Sequence, residues 1–183
     1  MLNERKVAQV AAHLLCLRGG KMSHLKLMKL MYLADRECYK LYGRSITGDR
    51  AVSMDNGPVL SQTLNLMDGE ARYASNGWDT LISAKSNHEL TLKRALERSD
   101  MDELSRAEVE ILDSVYSTYG RMGRWELVDL THQLPEWVNP DGSSLPIATQ
   151  DILLGLGKKS NVIVGLMRQL DENRAVDAVL ASL

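Results

Sequence analysis

The run Ser23-His24-Leu25-Lys26-Leu27-Met28-Lys29-Leu30-Met31-Tyr32-Leu33-Ala34-Asp35-Arg36-Glu37-Cys38-Tyr39-Lys40-Leu41-Tyr42-Gly43 decides how this chain folds. Ser23 is an N-cap residue and Gly43 a helix stop, with no proline or glycine between them. One long helix through Tyr42 is therefore predicted. At ~100° per residue, Leu27, Met28, Met31, Cys38, Tyr39 and Tyr42 share one side. Lys26, Lys29, Arg36 and Lys40 fall within about a quarter of the wheel opposite. Such a basic stripe is either a solvated face or a docking surface for an acidic partner or for phosphates. His24 and Asp35 interrupt the apolar side. A buried carboxylate without partners is costly, so Asp35 is expected to accept hydrogen bonds. The expected donors are backbone N–H groups near Gly57 to Leu60, or a buried side chain such as His132. Asp35 is read as a structural anchor rather than a catalytic acid.

Working outward, Val7, Val10, Ala11, Leu14 and Leu15 recur at helical spacing from Asn3 to Leu17, and Gly19-Gly20 stop that run. After the long helix, residues 50–54 read as a short strand, and Pro58 suits the first position of a helix reaching Met67. Residues 80–85 and 89–93 flank Ser86-Asn87-His88 and read as a β-hairpin. Ser105 and Glu108 form a capping box for a helix to Tyr119, ended by Gly120. Further helices are predicted over Trp125 to Gln133, Gln150 to Leu156 and Asn161 to Leu183. The C-terminal helix shifts its apolar stripe part-way, from Ile163, Leu166, Met167 and Leu170 to Val176, Val179, Leu180 and Leu183. The fold class is mainly α: a compact multi-helix domain over residues 1–140, with a small antiparallel β element. A C-terminal helical extension over residues 141–183 packs on it.

Composition narrows the function. The chain has 183 residues and 44% hydrophobic content, which excludes disorder as its main state. Its 22 Lys+Arg against 24 Asp+Glu leave a net charge of −2, unlike a protein that coats nucleic acid. Cys16 and Cys38, the 2 cysteines, make no disulfide framework and are expected to be buried thiols. The N-terminus lacks an apolar signal region, and no stretch approaches the ~18 apolar residues of a membrane span, so a cytoplasmic location is expected.

Catalytic patterns are missing from the local sequence. His13, His24, His88 and His132 are scattered, with no metal-ligand spacing. Gly155-Leu156-Gly157-Lys158-Lys159-Ser160 resembles a phosphate loop faintly, but Ile152 stands where the first glycine belongs, and a helix-linking turn is the better reading. No nucleophile elbow is present. No catalytic residue, cofactor or metal is expected.

Three blocks then carry a resemblance. Lys26-Leu27-Met28-Lys29-Leu30-Met31-Tyr32-Leu33-Ala34-Asp35, running on to Gly43, resembles the opening signature of the Panacea (SocA-like) antitoxin domain. Gly57-Pro58-Val59 after a short strand is similar to its second signature, and Leu130-Thr131-His132 with Trp137 to its third. The blocks occur in family order over roughly residues 5 to 140. Before Gly57 the chain reads Met54-Asp55-Asn56 and lacks the aromatic residue often found there. The signature residues are thus Lys26, Leu27, Lys29, Leu30, Tyr32, Ala34, Asp35, Gly43, Gly57, Pro58, Val59, Thr131, His132 and Trp137. Their physical roles read as mostly structural: Gly57-Pro58 reverses the chain, Trp137 anchors the core, and His132 holds a buried hydrogen bond.

The resemblance implies a small, mainly helical antitoxin of bacteria or phages, without cofactor, that neutralises a co-produced toxin by direct binding. One branch of the family acts as an adaptor delivering its toxin to a protease. A DNA-binding autorepressor using the basic stripe is the alternative from another class, although nucleic acid is the less favoured partner. Homo-oligomerisation stays open, and no membrane partner is expected. Two surfaces are candidates for the partner: Lys26, Lys29, Arg36 and Lys40, or the helix end carrying Val176, Val179, Leu180 and Leu183.

Overall fold

The computed structural model describes residues 2–70 and 77–180, without the side chains of Arg98, Arg174, Asp177, Ala178 and Leu180. The long helix forms where the capping residues place it. It is α2 (His24–Tyr42), with the Ser23 side chain accepting from Lys26 N and Gly43 closing it in the left-handed conformation. Before it lie α1 (Glu4–Leu17) and β1 (Lys21–Ser23). After it come β2 (Ala51–Met54), β3 (Gly57–Leu60), α3 (Ser61–Asp68), α4 (Trp78–Leu81) and β4 (Glu89–Thr91). A 3₁₀ turn at Arg98–Met101 leads to α5 (Arg106–Tyr119) and α6 (Arg124–His132). β5 (Leu145–Pro146), α7 (Thr149–Gly155) and α8 (Ser160–Leu180) complete the order. The molecule is 57% helical, mainly α with small antiparallel sheets.

α2 is the centre of the core. Its residues Leu27, Met28, Leu30, Met31 and Ala34 are buried, and α1, α5, α6, α7 and β3 all pack against it. Over its first turns the helix is enclosed and keeps no face for solvent. Its last turn, with Lys40, Leu41 and Tyr42, is exposed, so Tyr42 does not join the expected apolar face. The capping box at Ser105 is present, and its Glu108 does more than cap: it also binds Lys6 of α1 and Arg44 after α2, at 2.9 and 2.7 Å. Burial alone would raise the Glu108 carboxyl, but hydrogen bonds from Arg44, Lys6 and Ser105 hold it down at about 2.

Several expectations change. Pro58 does not open a helix. Gly57–Leu60 is strand β3, paired antiparallel with β2 (Ala51↔Leu60, Met54↔Gly57), and the helix begins three residues later. The helix start is set instead by Asp49, which accepts from Gln62 N, Thr63 N and Thr63 Oγ1 and so satisfies the free donors of α3. The expected hairpin survives only in part. Thr80 and Leu81 belong to the α4 turn, whose Trp78 N donates to Glu4 Oε1. Antiparallel bridges remain at Ile82↔Leu92 and Ser86↔Glu89, around a two-residue turn with positive φ at Asn87 and His88. β4 takes its full register from β1, with Met22 opposite Leu90. Cys38 is buried, which pushes its thiol up to about 12, but Cys16 is exposed, because it lies on the outer side of the last turn of α1.

β5 pairs with β2 (Ser53↔Leu145), and α7 packs on α2. The first half of α8 rests on the core: Ile163 is buried, and Leu166 fills the space a Cβ at Gly43 would need. Beyond Leu170 the described side chains of α8 are exposed, Val176 and Val179 among them. The Leu180 side chain and Leu183 lie outside the described residues. Among the described residues no helix is long and apolar enough to cross a membrane.

Candidate functional site

The polar signature residues of α2 all turn inward onto backbone or a buried partner. Lys26 Nζ donates to Gly120 O and Met122 O, both at 2.7 Å, at the C-terminal end of α5, where carbonyls lack helical partners. One turn on, Lys29 is fully buried and donates to Pro58 O at 2.7 Å. Burial lowers its ammonium from 10.5 to about 7. Tyr32 and Arg36, on the same face at i+3 and i+7, both reach Glu136. The Tyr32 hydroxyl donates at 3.0 Å and Arg36 Nε at 2.6 Å to one carboxylate oxygen. Burial and the neighbouring Glu136 charge push the Tyr32 phenol well above its ordinary value.

Asp35 is buried and anchored, but not where expected. It accepts from Ile46 N, Thr47 N and Thr47 Oγ1, at 2.8, 3.0 and 2.5 Å, and so ties the 44–50 loop to α2. On the Gly57–Leu60 strand, α2 holds Pro58 O through Lys29. Burial raises the Asp35 carboxyl to about 6 against the pull of those hydrogen bonds. His24 lies at the first helical position, half-buried, with Nδ1 2.9 Å from His88 O, rather than in the apolar face.

The basic stripe does not exist as a surface. Lys26 and Lys29 are buried and Arg36 is tied to Glu136, leaving Lys40 exposed beside Glu37. A helical wheel ranks residues by angle alone. Here loops cover the cationic side as well, and each buried cation is compensated by carbonyls or a carboxylate.

The three signature blocks meet at Gly57. Its φ is +90°, and a Cβ there would lie 2.7 Å from Thr131 Oγ1, 3.0 Å from Lys29 Nζ and 3.3 Å from His132 Cδ2. Both conformation and space demand glycine. Thr131 Oγ1 donates back to Leu127 O in α6. Trp137 stacks on His132 at 4.1 Å and donates through Nε1 to Met54 O, pinning the end of β2. The expected hydrogen bond of His132 is not made: its Nε2 is buried with no partner among the described residues, and ring stacking holds the imidazole instead.

Glu136, Thr47 and Asp49 escaped sequence reading. Glu136 lies 100 residues from Arg36, and no spacing rule links them. Thr47-Gly48-Asp49 does carry turn composition, which signals a loop but not its anchors. Among the described residues no three His, Cys, Asp or Glu side chains cluster as a metal site would require.

The junction is thus a set of buried posts joining α2, β2–β3 and α6, and chemically it can hold a scaffold rigid. Comparison with known proteins bears on what that scaffold is. No curated protein and no solved structure matches the chain. The family model described as antitoxin SocA-like, Panacea domain, matches residues 27–138, which contain α2 from Leu27 onward, the Gly57 turn and the Thr131–Trp137 block. With well over half its length matched and those blocks joined at one point in the fold, the chain belongs to the SocA-like antitoxin family, through its Panacea domain.

Proposed function

We propose that this protein is an antitoxin that neutralises a co-produced toxin by binding it directly, without catalysing a reaction. Membership of the antitoxin family carries the reading. The geometry supports it: Lys26, Lys29, Tyr32, Asp35 and Arg36 are consumed in holding the chain's own loops, so they brace a surface rather than present a reactive centre. The DNA-binding alternative loses its motive, because two of its four cations are buried. Two free thiols fit a reducing cytoplasm, where we place the protein. We also read residues 141–183 as a C-terminal extension of a domain over 1–140. Within the extension we keep Val176, Val179, Leu180 and Leu183 as a second candidate partner surface. Of these, Val176 and Val179 are exposed, and Leu183 and the Leu180 side chain lie outside the described residues.

The test is co-expression with the product of the adjacent gene. The expected outcome is restored growth and co-purification of the two chains in a complex that persists at high salt, as a largely apolar interface does. Toxicity unchanged by this chain overturns the reading. Restored growth that requires a host protease, with the toxin degraded, moves it to the adaptor mode.

A further inference from the structure

We propose that a groove between the 135–138 segment, β5 and α7 is the seat for the toxin partner, and that it takes a segment with one apolar side chain next to a Lys or Arg. This rests on the antitoxin reading and names its surface. The groove encloses about 740 Å³. Its apolar lining is Pro135, Val138, Leu145, Pro146 and Leu154. Three of these are large side chains left in water, at 59%, 41% and 48% exposure for Val138, Leu145 and Leu154. Scattered exposed valines and leucines are ordinary on a protein surface, but three lining one concavity are a concentrated apolar patch.

The charge of the groove defines its occupant. Of the two carboxylates in the lining, Glu136 has a wholly buried side chain, so Asp151 alone gives the groove an open charge, and no cation lines it. Glu136 is neutralised from beneath by Arg36, whose Nη2 also lies 3.4 Å from Gly155 O on the α7 side. Asp151 is exposed in the first turn of α7, with no side-chain partner among the described residues. A cationic group beside an apolar anchor would meet both features. The groove also straddles the edge of the family match. Pro135 and Val138 lie within residues 27–138, while Leu145, Pro146, Asp151 and Leu154 lie beyond it. One wall therefore lies within the family match and the other beyond it. A wall outside the shared match is one way for a common scaffold to distinguish its partner.

Leu154→Asp, Asp151→Lys and a control, Val164→Asp on the exposed side of α8, separate the outcomes when binding to the purified product of the adjacent gene is measured. Both groove changes fall on exposed side chains, so wild-type circular dichroism is expected, and Asp151→Lys serves alone should Leu154→Asp misfold. The expected result is binding weakened at least ~10-fold by each groove change and unaltered by the control. Tight wild-type binding that neither groove change weakens overturns the groove and leaves the antitoxin reading standing. No wild-type binding at all overturns the antitoxin reading and the groove with it. A wild-type dimer that Leu154→Asp dissociates, with toxin binding untouched, assigns the groove to a second copy of the chain and overturns the proposal.

Discussion

Asp35 and Lys29 are ionisable groups buried on one helix, and burial shifts them in opposite directions. Asp35 is raised from 3.8 to about 6, so the folded chain keeps a proton that the unfolded chain releases between those values. Its contribution to stability is full below about pH 4 and is lost as pH rises through 6. Lys29 is lowered from 10.5 to about 7, so between those values the unfolded chain holds the extra proton and stability rises with pH. Denaturation of wild type against Asp35→Asn from pH 5 to 6, and against Lys29→Met from pH 7 to 8.5, should show the slope flatten in each variant. Outside these windows Glu108 at low pH and Cys38 and Tyr32 at high pH add slopes of their own. A slope that persists in Asp35→Asn would mean that the carboxylate is solvated. Asp35→Ala also strands the Ile46 and Thr47 donors, and we expect a loss of about 2–4 kcal/mol at neutral pH, read from chemical denaturation. At Gly57, alanine meets both an unfavourable φ and the Thr131 hydroxyl. Gly57→Ala should cost about 1–3 kcal/mol, and an unchanged melting temperature would show the junction to be loose.

At the scale of the element, α2 works as a post with hooks. Lys26, Lys29, Tyr32, Asp35 and Arg36 hold four separate pieces of chain: the end of α5, strand β3, the 46–47 loop and Glu136. The Arg36–Glu136 pair is the clearest test, since the Glu136 side chain is wholly buried. Arg36→Met leaves a buried carboxylate held by Tyr32 alone and should cost about 3 kcal/mol or more. Adding Glu136→Leu should restore over half of that loss, because the stranded charge is then gone. A double variant no more stable than the single would show that the pair does not account for the loss. The helix itself was legible: Ser23 and Gly43 mark its ends, because capping is a local property of a few neighbouring residues. The hooks were not legible. A lysine on a wheel has the same angle whether water or a carbonyl meets it, and the carbonyls at Gly120, Met122 and Pro58 are supplied by distant segments.

For the whole molecule, the decisive experiment is on α8. Ile163 and Leu166 pack on the body, whereas Val176 and Val179 are exposed. A chain ending at Asp171 should therefore melt within about 4 °C of wild type, a difference of roughly 1 kcal/mol for a protein of this size. If it folds and still neutralises its toxin, the helix end is not the partner surface and the groove beside α7 gains weight. If it folds and no longer protects, the helix end is the surface. Loss of folding would show that the end of α8 contributes to the core.

The sequence alone determined the mainly helical class, the bounds of α1, α2, α5 and α6, the capping box at Ser105 and the family. All of these depend on neighbours within a few residues, where propensity, capping and periodicity act. Only the tertiary structure decided that Gly57-Pro58 lies in a strand, since pairing with Ala51–Met54 outweighs the preference of proline for a helix start. It alone decided that Asp49 caps α3, that Asp35 holds Ile46 and Thr47, and that Lys26 and Lys29 are internal. Those outcomes depend on which remote backbone groups come to lie against a side chain. Burial then imposes the rule that each polar atom must find a partner, and the nearest partner is fixed by packing rather than by spacing along the chain.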